Sequence, residues 1–391
     1  MITVEEALAR CFALVTPLET ETVALRHGAG RVLRQAAPAR LTQPPFDASA
    51  MDGYALGAAG QPGDRFTVLG EAGAGHAFAG RIGAGQAVRI FTGAPLPEGA
   101  VTIAIQEDVA AEGATITLRA SSAPGDNIRP RGQDFAEGVS LPVPRRLSAN
   151  DLALLAAMNI AELTVSCRPT VALMATGDEL VMPGEAPGPD QIVASNIFGL
   201  AAMVQAAGGT PRILPIARDN EDSLRTVFGL AEGADMVVTV GGASVGDHDL
   251  VGKVAGDLGL ERAFWKIAMR PGKPLMAGRL GGAVMLGLPG NPVSAIVCGH
   301  LFLVPMLRAL QGLPARPAET RPARLGADTG PAGPRAHYMR ARLSDGGTTV
   351  TPFDRQDSAL LAILSEADAL LVRPMGDGPR KAGDMVEVIA L

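Results

Sequence analysis

At 391 residues the chain is longer than one hydrophobic core usually spans, so two or more domains are expected. An apolar fraction of 47% excludes a disordered chain, while 48 glycines and 30 prolines point to many short elements and turns. A net charge of −6, with two tyrosines and one tryptophan, argues against a nucleic-acid-binding or base-stacking surface.

Residues 3–15 read as an amphipathic helix opened by a capping box of Thr3 and Glu6. Glu5 and Glu6 stand where a signal peptide would be positive, so no targeting segment is expected. Residues 1–20 and 148–169 are expected to form a helical linker domain, with Ser148 and Asp151 capping a helix that runs to about Met158. Between them, residues 21–147 carry short β-type runs at 65–71, 87–91, 101–107 and 115–118 among Gly/Pro turns, the pattern of a β-rich domain.

From residue 170 to 312 strands alternate with helices. Strands are expected at 171–175, 210–216, 236–240 and 283–286, and helices at 195–207, 220–231, 249–258 and 292–310. That alternation predicts a doubly wound α/β domain with a largely parallel sheet and a ligand beyond the carboxyl ends of its strands. The longest apolar run, 293–307, is broken by Ser294, Gly299, His300 and Pro305 and falls short of the roughly 20 residues that span a bilayer. A buried helix is expected there, and no membrane. Residues 313–391 begin rich in proline and continue as short strands, predicting a small β domain. Cys11, Cys167 and Cys298 show neither CxxC nor zinc spacing, so reduced core thiols in a cytoplasmic protein are expected.

Three strand ends of the α/β domain deliver polar residues: Thr176-Gly177-Asp178-Glu179, Arg218-Asp219-Asn220, and the loop Gly242-Ala243-Ser244-Val245-Gly246-Asp247-His248-Asp249. Glycines let backbone N–H groups close on an anion, and carboxylates suit a hard divalent cation. Glu179, Asp219, Asp247 and Asp249 are expected to converge, and like charges converge only where a cation shares the site. The alternative for Asp178 and Asp219 is helix capping. Met269-Arg270-Pro271-Gly272-Lys273-Pro274 aims two cations around a tight turn, with Lys266 close by in sequence; Arg can grip an oxyanion bidentately. Leu288-Pro289-Gly290-Asn291-Pro292 opens the apolar helix, and a helix start attracts phosphate.

These stretches, together with PPFDASAMDGYA at 44–55, FTGAPLP at 91–97, RPRGQDF at 129–135, ATGDEL at 175–180, FWKIAMRPGKP at 264–274 and GLPGNPVSA at 287–295, resemble the molybdopterin molybdenumtransferase family, which includes the C-terminal part of gephyrin. The resemblance implies Mg²⁺-assisted insertion of molybdenum from molybdate into adenylated molybdopterin, with release of AMP. It implies Glu179, Asp219 and Asp249 at the metal and adenylyl end, and Lys266 and Arg270 on molybdate. It also implies that Thr176, Gly242, Ser244, Gly246, Lys273, Pro289 and Pro292 shape the pterin-phosphate and nucleotide loops. Asp52, Thr92 and Asp134 would come from the β-rich domain of the other subunit of a homodimer. Partners implied are a molybdopterin adenylyltransferase and the molybdoenzymes that accept the cofactor. Ala243 stands where the family has Val, Arg270 where it has Lys, and Gln356-Asp357-Ser358-Ala359 replaces a run of small residues, which leaves Arg340 and Ser358 open as ligand contacts. The alternatives are an adenylyltransferase acting on the same pterin, against which the extra β domains speak, and a non-catalytic pterin-binding scaffold.

Overall fold

In the computed structural model, which describes residues 1–242 and 250–391, the strand Met236–Val240 is buried at every position. A parallel strand covered on both faces needs such a continuous apolar run. It lies inside a six-stranded sheet ordered Thr210–Ile213, Thr170–Ala175, Met236–Val240, Ala283–Leu288, Met276–Leu280, Leu260–Trp265. The first four strands run parallel, with Val171 opposite Met236 and Met236 opposite Val284. The last two are antiparallel, an edge for which the sequence reading gave no strands. Ser244, Gly246, Asp247 and Asp249 lie outside the described residues.

Alternate side chains of each strand go to opposite layers. Val171, Leu173 and Ala175 pack with Val4, Leu8, Ile197, Leu200 and the apolar helix; Ala172 and Met174 pack with Leu224, Phe228, Val251 and Val254. The helices start where their caps dictate. Thr3 accepts from the Glu6 N–H ahead of Val4–Leu14, and Asn220 accepts from the Ser223 N–H ahead of Glu221–Leu230.

The apolar helix runs from Pro292 to Leu310, long and apolar enough by length and composition to cross a membrane, but mostly buried in this core. Pro305 does not end it, because Gly299–Leu303 form a π-turn in which Val304 N–H bonds to Gly299 C=O. Pro305 thus stands in the first turn of the segment Val304–Leu310, where a missing N–H is tolerated.

The chain divides into two compact units: Met1–Glu21, Gly30–Arg34 and Thr164–Leu391 in one, Thr22–Ala29 and Gln35–Leu163 in the other. The first also holds a barrel at its C-terminal end. Ala336–Ser344, Thr349–Pro352, Arg321–Leu325, Met385–Ala390 and Ala369–Arg373 are hydrogen-bonded in that order, and the last returns to the first. Arg321–Leu325 was expected to be a Pro-rich linker. Pro322 is tolerated because it pairs only with Glu387, while the parallel partner strand engages residues 324 and 325.

In the second unit a six-stranded sheet is ordered Thr102–Ile105, Gly53–Leu56, Gln86–Ile90, Arg65–Ala72, Thr115–Leu118, Val109–Glu112. The same unit carries the helix Ala149–Ala157, opened by the reciprocal Ser148–Asp151 capping box. Cys11 and Cys298 are buried free thiols, and burial pushes Cys11 up to about 12. Cys167, expected in the core, is only half-buried.

Candidate functional site

The chain leaves Thr170–Ala175 toward one edge of the sheet and returns to the other side of that strand at Met236–Val240. Loops at such a reversal diverge and leave a crevice at the carboxyl ends of the strands. A cleft of about 940 Å³ occupies that position. Thr176, Gly177 and Glu179 line it from the first strand end, Asp219 from the second, and Gly241 and Gly242 from the third. Pro289 to Pro292 close it at the start of the apolar helix, with Ser195 and Asn196 at the start of the helix Asn196–Ala206.

Both glycines at the third strand end have positive φ, and neither has room for a side chain. A Cβ at Gly241 would lie 2.6 Å from the Thr176 carbonyl oxygen, and one at Gly242 2.2 Å from Val251 Cγ2. The Thr176 hydroxyl is buried and has no hydrogen-bond partner among the described residues. A buried hydroxyl without a partner is costly unless something else bonds to it, and this one borders the cleft. Glu179 and Asp219 are exposed, and no described residue forms a hydrogen bond or ion pair with either carboxylate. Two free hard-oxygen donors on one cleft suit Mg²⁺, which takes one or two protein carboxylates and leaves positions for water and phosphate. Among the described residues no three His, Cys, Asp or Glu side chains gather as a metal site, so the expected set of acids is seen here as a pair. Asp178 does not join it: its Oδ1 accepts the Asp219 N–H at 3.1 Å.

The basic residues of 264–274 do not line this cleft; Pro274 does. They sit on a short hairpin in which Lys266 N–H bonds to Leu275 C=O and Ile267 N–H to Lys273 C=O, both at 3.0 Å. Lys266 has φ +68°, with its ammonium 3.7 Å from the Trp265 ring centroid. Arg270 is exposed and pairs in parallel with His337 of the barrel. Burial first, then the positive charges of Arg270, Arg373, Arg335 and Arg340, push the His337 imidazole down to about 4.

Protonating His337 therefore favours the unfolded chain. Its stabilisation is complete above pH 6.5, the ordinary value, and is lost as the pH falls toward about 4. The denaturant midpoint of the wild type is expected to fall across that window, and His337→Gln to fall less. Parallel curves for the two proteins would refute this assignment.

Arg340 is 1% exposed, and its guanidinium donates to the carbonyls of Leu360 (3.0 Å) and Arg355 (3.2 Å). Those bonds hold the 355–360 segment, whose Ser358 C=O accepts the Val293 N–H and whose Oγ accepts from Asn291 Nδ2, each at 3.0 Å. Ser358 thus occupies the helix start beside the cleft, and Ala359 lines the cleft itself. Sequence reasoning left Arg340 and Ser358 of the tail open, and it missed Ser195, Asn196 and Ser294. Ser195-Asn196 at the head of a predicted helix was the available signal.

Three stretches of the second unit also converge. Ile128 and Arg129 pair with Ser49 and Ala48, Leu96 N–H bonds to Asp47 C=O, and Gly132 N–H to Pro44 C=O. Asp52 accepts from the N–H and the hydroxyl of Thr92, both at 2.8 Å, and these bonds hold its carboxyl below the usual range. Asp134 is exposed on the same cluster, its N–H bonded to Gln43 C=O.

Residues 2–159 match the family described as "MoeA N-terminal region (domain I and II)", 172–309 "Probable molybdopterin binding domain", and 322–391 "MoeA C-terminal region (domain IV)". Molybdopterin molybdenumtransferase 2 of Mycobacterium tuberculosis H37Rv is 36% identical over 385 residues, covering 94% of this chain and 92% of that protein. The molybdopterin molybdenumtransferase of Haemophilus influenzae is 37% identical over 317 residues, covering 80% and 78%. The crystal structure of a molybdopterin biosynthesis moeA protein from Pyrococcus horikoshii OT3 superposes with a TM-score of 0.86 at 25% identity over 100% of both chains. Matching domains in the same order along nearly the whole chain place it in one family: this protein belongs to the molybdopterin molybdenumtransferases.

Proposed function

We propose that the protein inserts molybdenum into molybdopterin: molybdate and adenylated molybdopterin enter, the phosphoanhydride is cleaved, and AMP leaves. The observation that carries this reading is the cleft at the strand reversal, where the carboxylates of Glu179 and Asp219 face the same space as the Thr176 hydroxyl, none of them bonded to any described residue. Cleaving a phosphoanhydride is chiefly positioning and charge neutralisation. Glu179 and Asp219, with Asp249 assigned from sequence alone, would hold Mg²⁺. When bound, Mg²⁺ would supply positive charge to the phosphate oxygens. Thr176 donates its hydroxyl to a phosphate or pterin acceptor. Gly242 and the Pro289–Pro292 turn, with Ser244 and Gly246 assigned from sequence alone, shape the loops around the nucleotide and pterin phosphate. Lys266 and Arg270 take molybdate, a tetrahedral oxyanion, and Lys273 joins the pterin-phosphate loops.

The proposal includes a homodimer in which Asp52, Thr92 and Asp134 of one subunit complete the site of the other. It also includes cytoplasmic location, a molybdopterin adenylyltransferase as donor of the adenylated pterin, and molybdoenzymes as acceptors.

The test is an AMP-release assay with adenylated molybdopterin and Mg²⁺, with and without molybdate. Molybdate-dependent AMP supports the reading. ATP consumption on the unadenylated pterin would make the protein an adenylyltransferase, and binding without turnover a scaffold. Arg270→Ala is expected to raise the molybdate concentration for half-maximal rate by about 10–100-fold, the loss of a charge-assisted hydrogen bond worth roughly 1.5–3 kcal/mol, while pterin affinity stays unchanged. Equal molybdate dependence in variant and parent would remove Arg270 from the oxyanion site.

A further inference from the structure

The two carboxylates of the cleft come from loops that one side chain clasps together. Thr176 bridges Ala217 in parallel, and Gly177 N–H bonds to Ala217 C=O at 3.1 Å. Beyond that point the strands end, and no sheet fixes the path of residues 177–180 relative to residues 218–219. Arg218 does so instead. Its Nη1 donates to the carbonyls of Gly177 (3.3 Å), Asp178 (3.1 Å) and Leu180 (3.0 Å), so the turn carrying Glu179 wraps around one guanidinium nitrogen. Asp178 returns the connection by accepting the Asp219 N–H. The backbone of Arg218 is itself anchored, its N–H bonded to Ser223 Oγ at 2.9 Å in the first turn of the next helix.

Arg218 is half-buried and forms no ion pair with any described carboxylate. Its donors go to carbonyls, whose dipoles would otherwise converge on one point. The acids on either side of it, Glu179 and Asp219, are left free. A cation that demands near-ideal octahedral geometry is sensitive to such spacing. We propose that Arg218 is a positioning residue for divalent-cation binding: by holding the 177–180 turn against the 217–219 segment, it sets the separation of Glu179 and Asp219. The inference rests on the reading that these two carboxylates hold Mg²⁺.

Titration calorimetry of the full-length protein with Mg²⁺ in the presence of AMP tests both, with circular dichroism as a check on folding. Glu179→Gln should abolish the Mg²⁺ heat. Arg218→Ala should keep the fold and raise the apparent Mg²⁺ Kd by about 10–100-fold, the usual effect of losing a group that orients a metal ligand. The same variant should raise the Mg²⁺ requirement for AMP release in parallel, with kcat at saturating Mg²⁺ within about threefold of wild type. Arg218→Lys, whose ammonium offers three donors to the same carbonyls, should recover most of the affinity. Wild-type Mg²⁺ affinity in Arg218→Ala, with the heat lost in Glu179→Gln, would overturn the positioning role alone. Mg²⁺ binding unchanged in Glu179→Gln would overturn the reading beneath it. If Arg218→Ala does not fold, Asp178→Ala, which removes the opposite half of the clasp, decides: weaker Mg²⁺ binding supports the proposal, and unchanged binding refutes it.

Discussion

Glu179→Gln and Asp219→Asn are each expected to lower molybdate-dependent AMP release by at least about 10²-fold, or roughly 2.7 kcal/mol of barrier, at fixed Mg²⁺. Each substitution removes a full negative charge from the cleft while keeping the shape of the side chain. The thermal midpoint should not move measurably, because both residues are exposed and no described residue bonds to either carboxylate. Surface changes of that kind stay within about 0.5 kcal/mol. An intact fold with lost turnover is the signature of a ligand-holding residue. Turnover within about threefold of wild type in both variants would exclude a metal site built on this pair, since a lost charge-stabilising contact costs far more.

Phe302→Ala should do the opposite, destabilising the α/β unit by about 3–5 kcal/mol. Phe302 is fully buried and lies inside the π-turn of the Pro292–Leu310 helix. Its ring packs in the core shared by that helix, the Val4–Leu14 helix and the central sheet. Total stability of a domain is of order 5–15 kcal/mol, so the loss is a large fraction of it. A denaturant titration should show an earlier midpoint with an unchanged slope. The folded fraction should retain its molybdate dependence, since Phe302 does not border the cleft. A loss below about 1 kcal/mol would mean that the core closes over the missing ring.

These residues separate what the sequence states directly from what it does not. Glu179 and Asp219 were legible because each follows a recognisable strand and because parallel strands must end on one side; the cleft that unites them follows from that rule. The helix starts at Thr3, Ser148 and Asn220 were legible because a cap acts within three residues of chain. The basic hairpin was legible as charge but not as place. Lys266, Arg270 and Lys273 stand near the acids in family order, yet they lie outside the lining of the cleft.

By itself, then, the amino-acid order determined the α/β alternation, the caps, the buried central strand and the family, because each depends on neighbours within a few residues or on motifs read in series. Only the tertiary structure decided the antiparallel edge at Leu260–Trp265 and Met276–Leu280, the closure of the barrel through a strand containing Pro322, and the clasp of Arg218. It also decided that Arg340 is spent on carbonyls while Ser358 reaches the helix start. The reason is the same in each case. The partners lie far along the chain, and most are backbone groups; a backbone carbonyl is identical in every residue, so nothing in the letters marks which one a side chain will find.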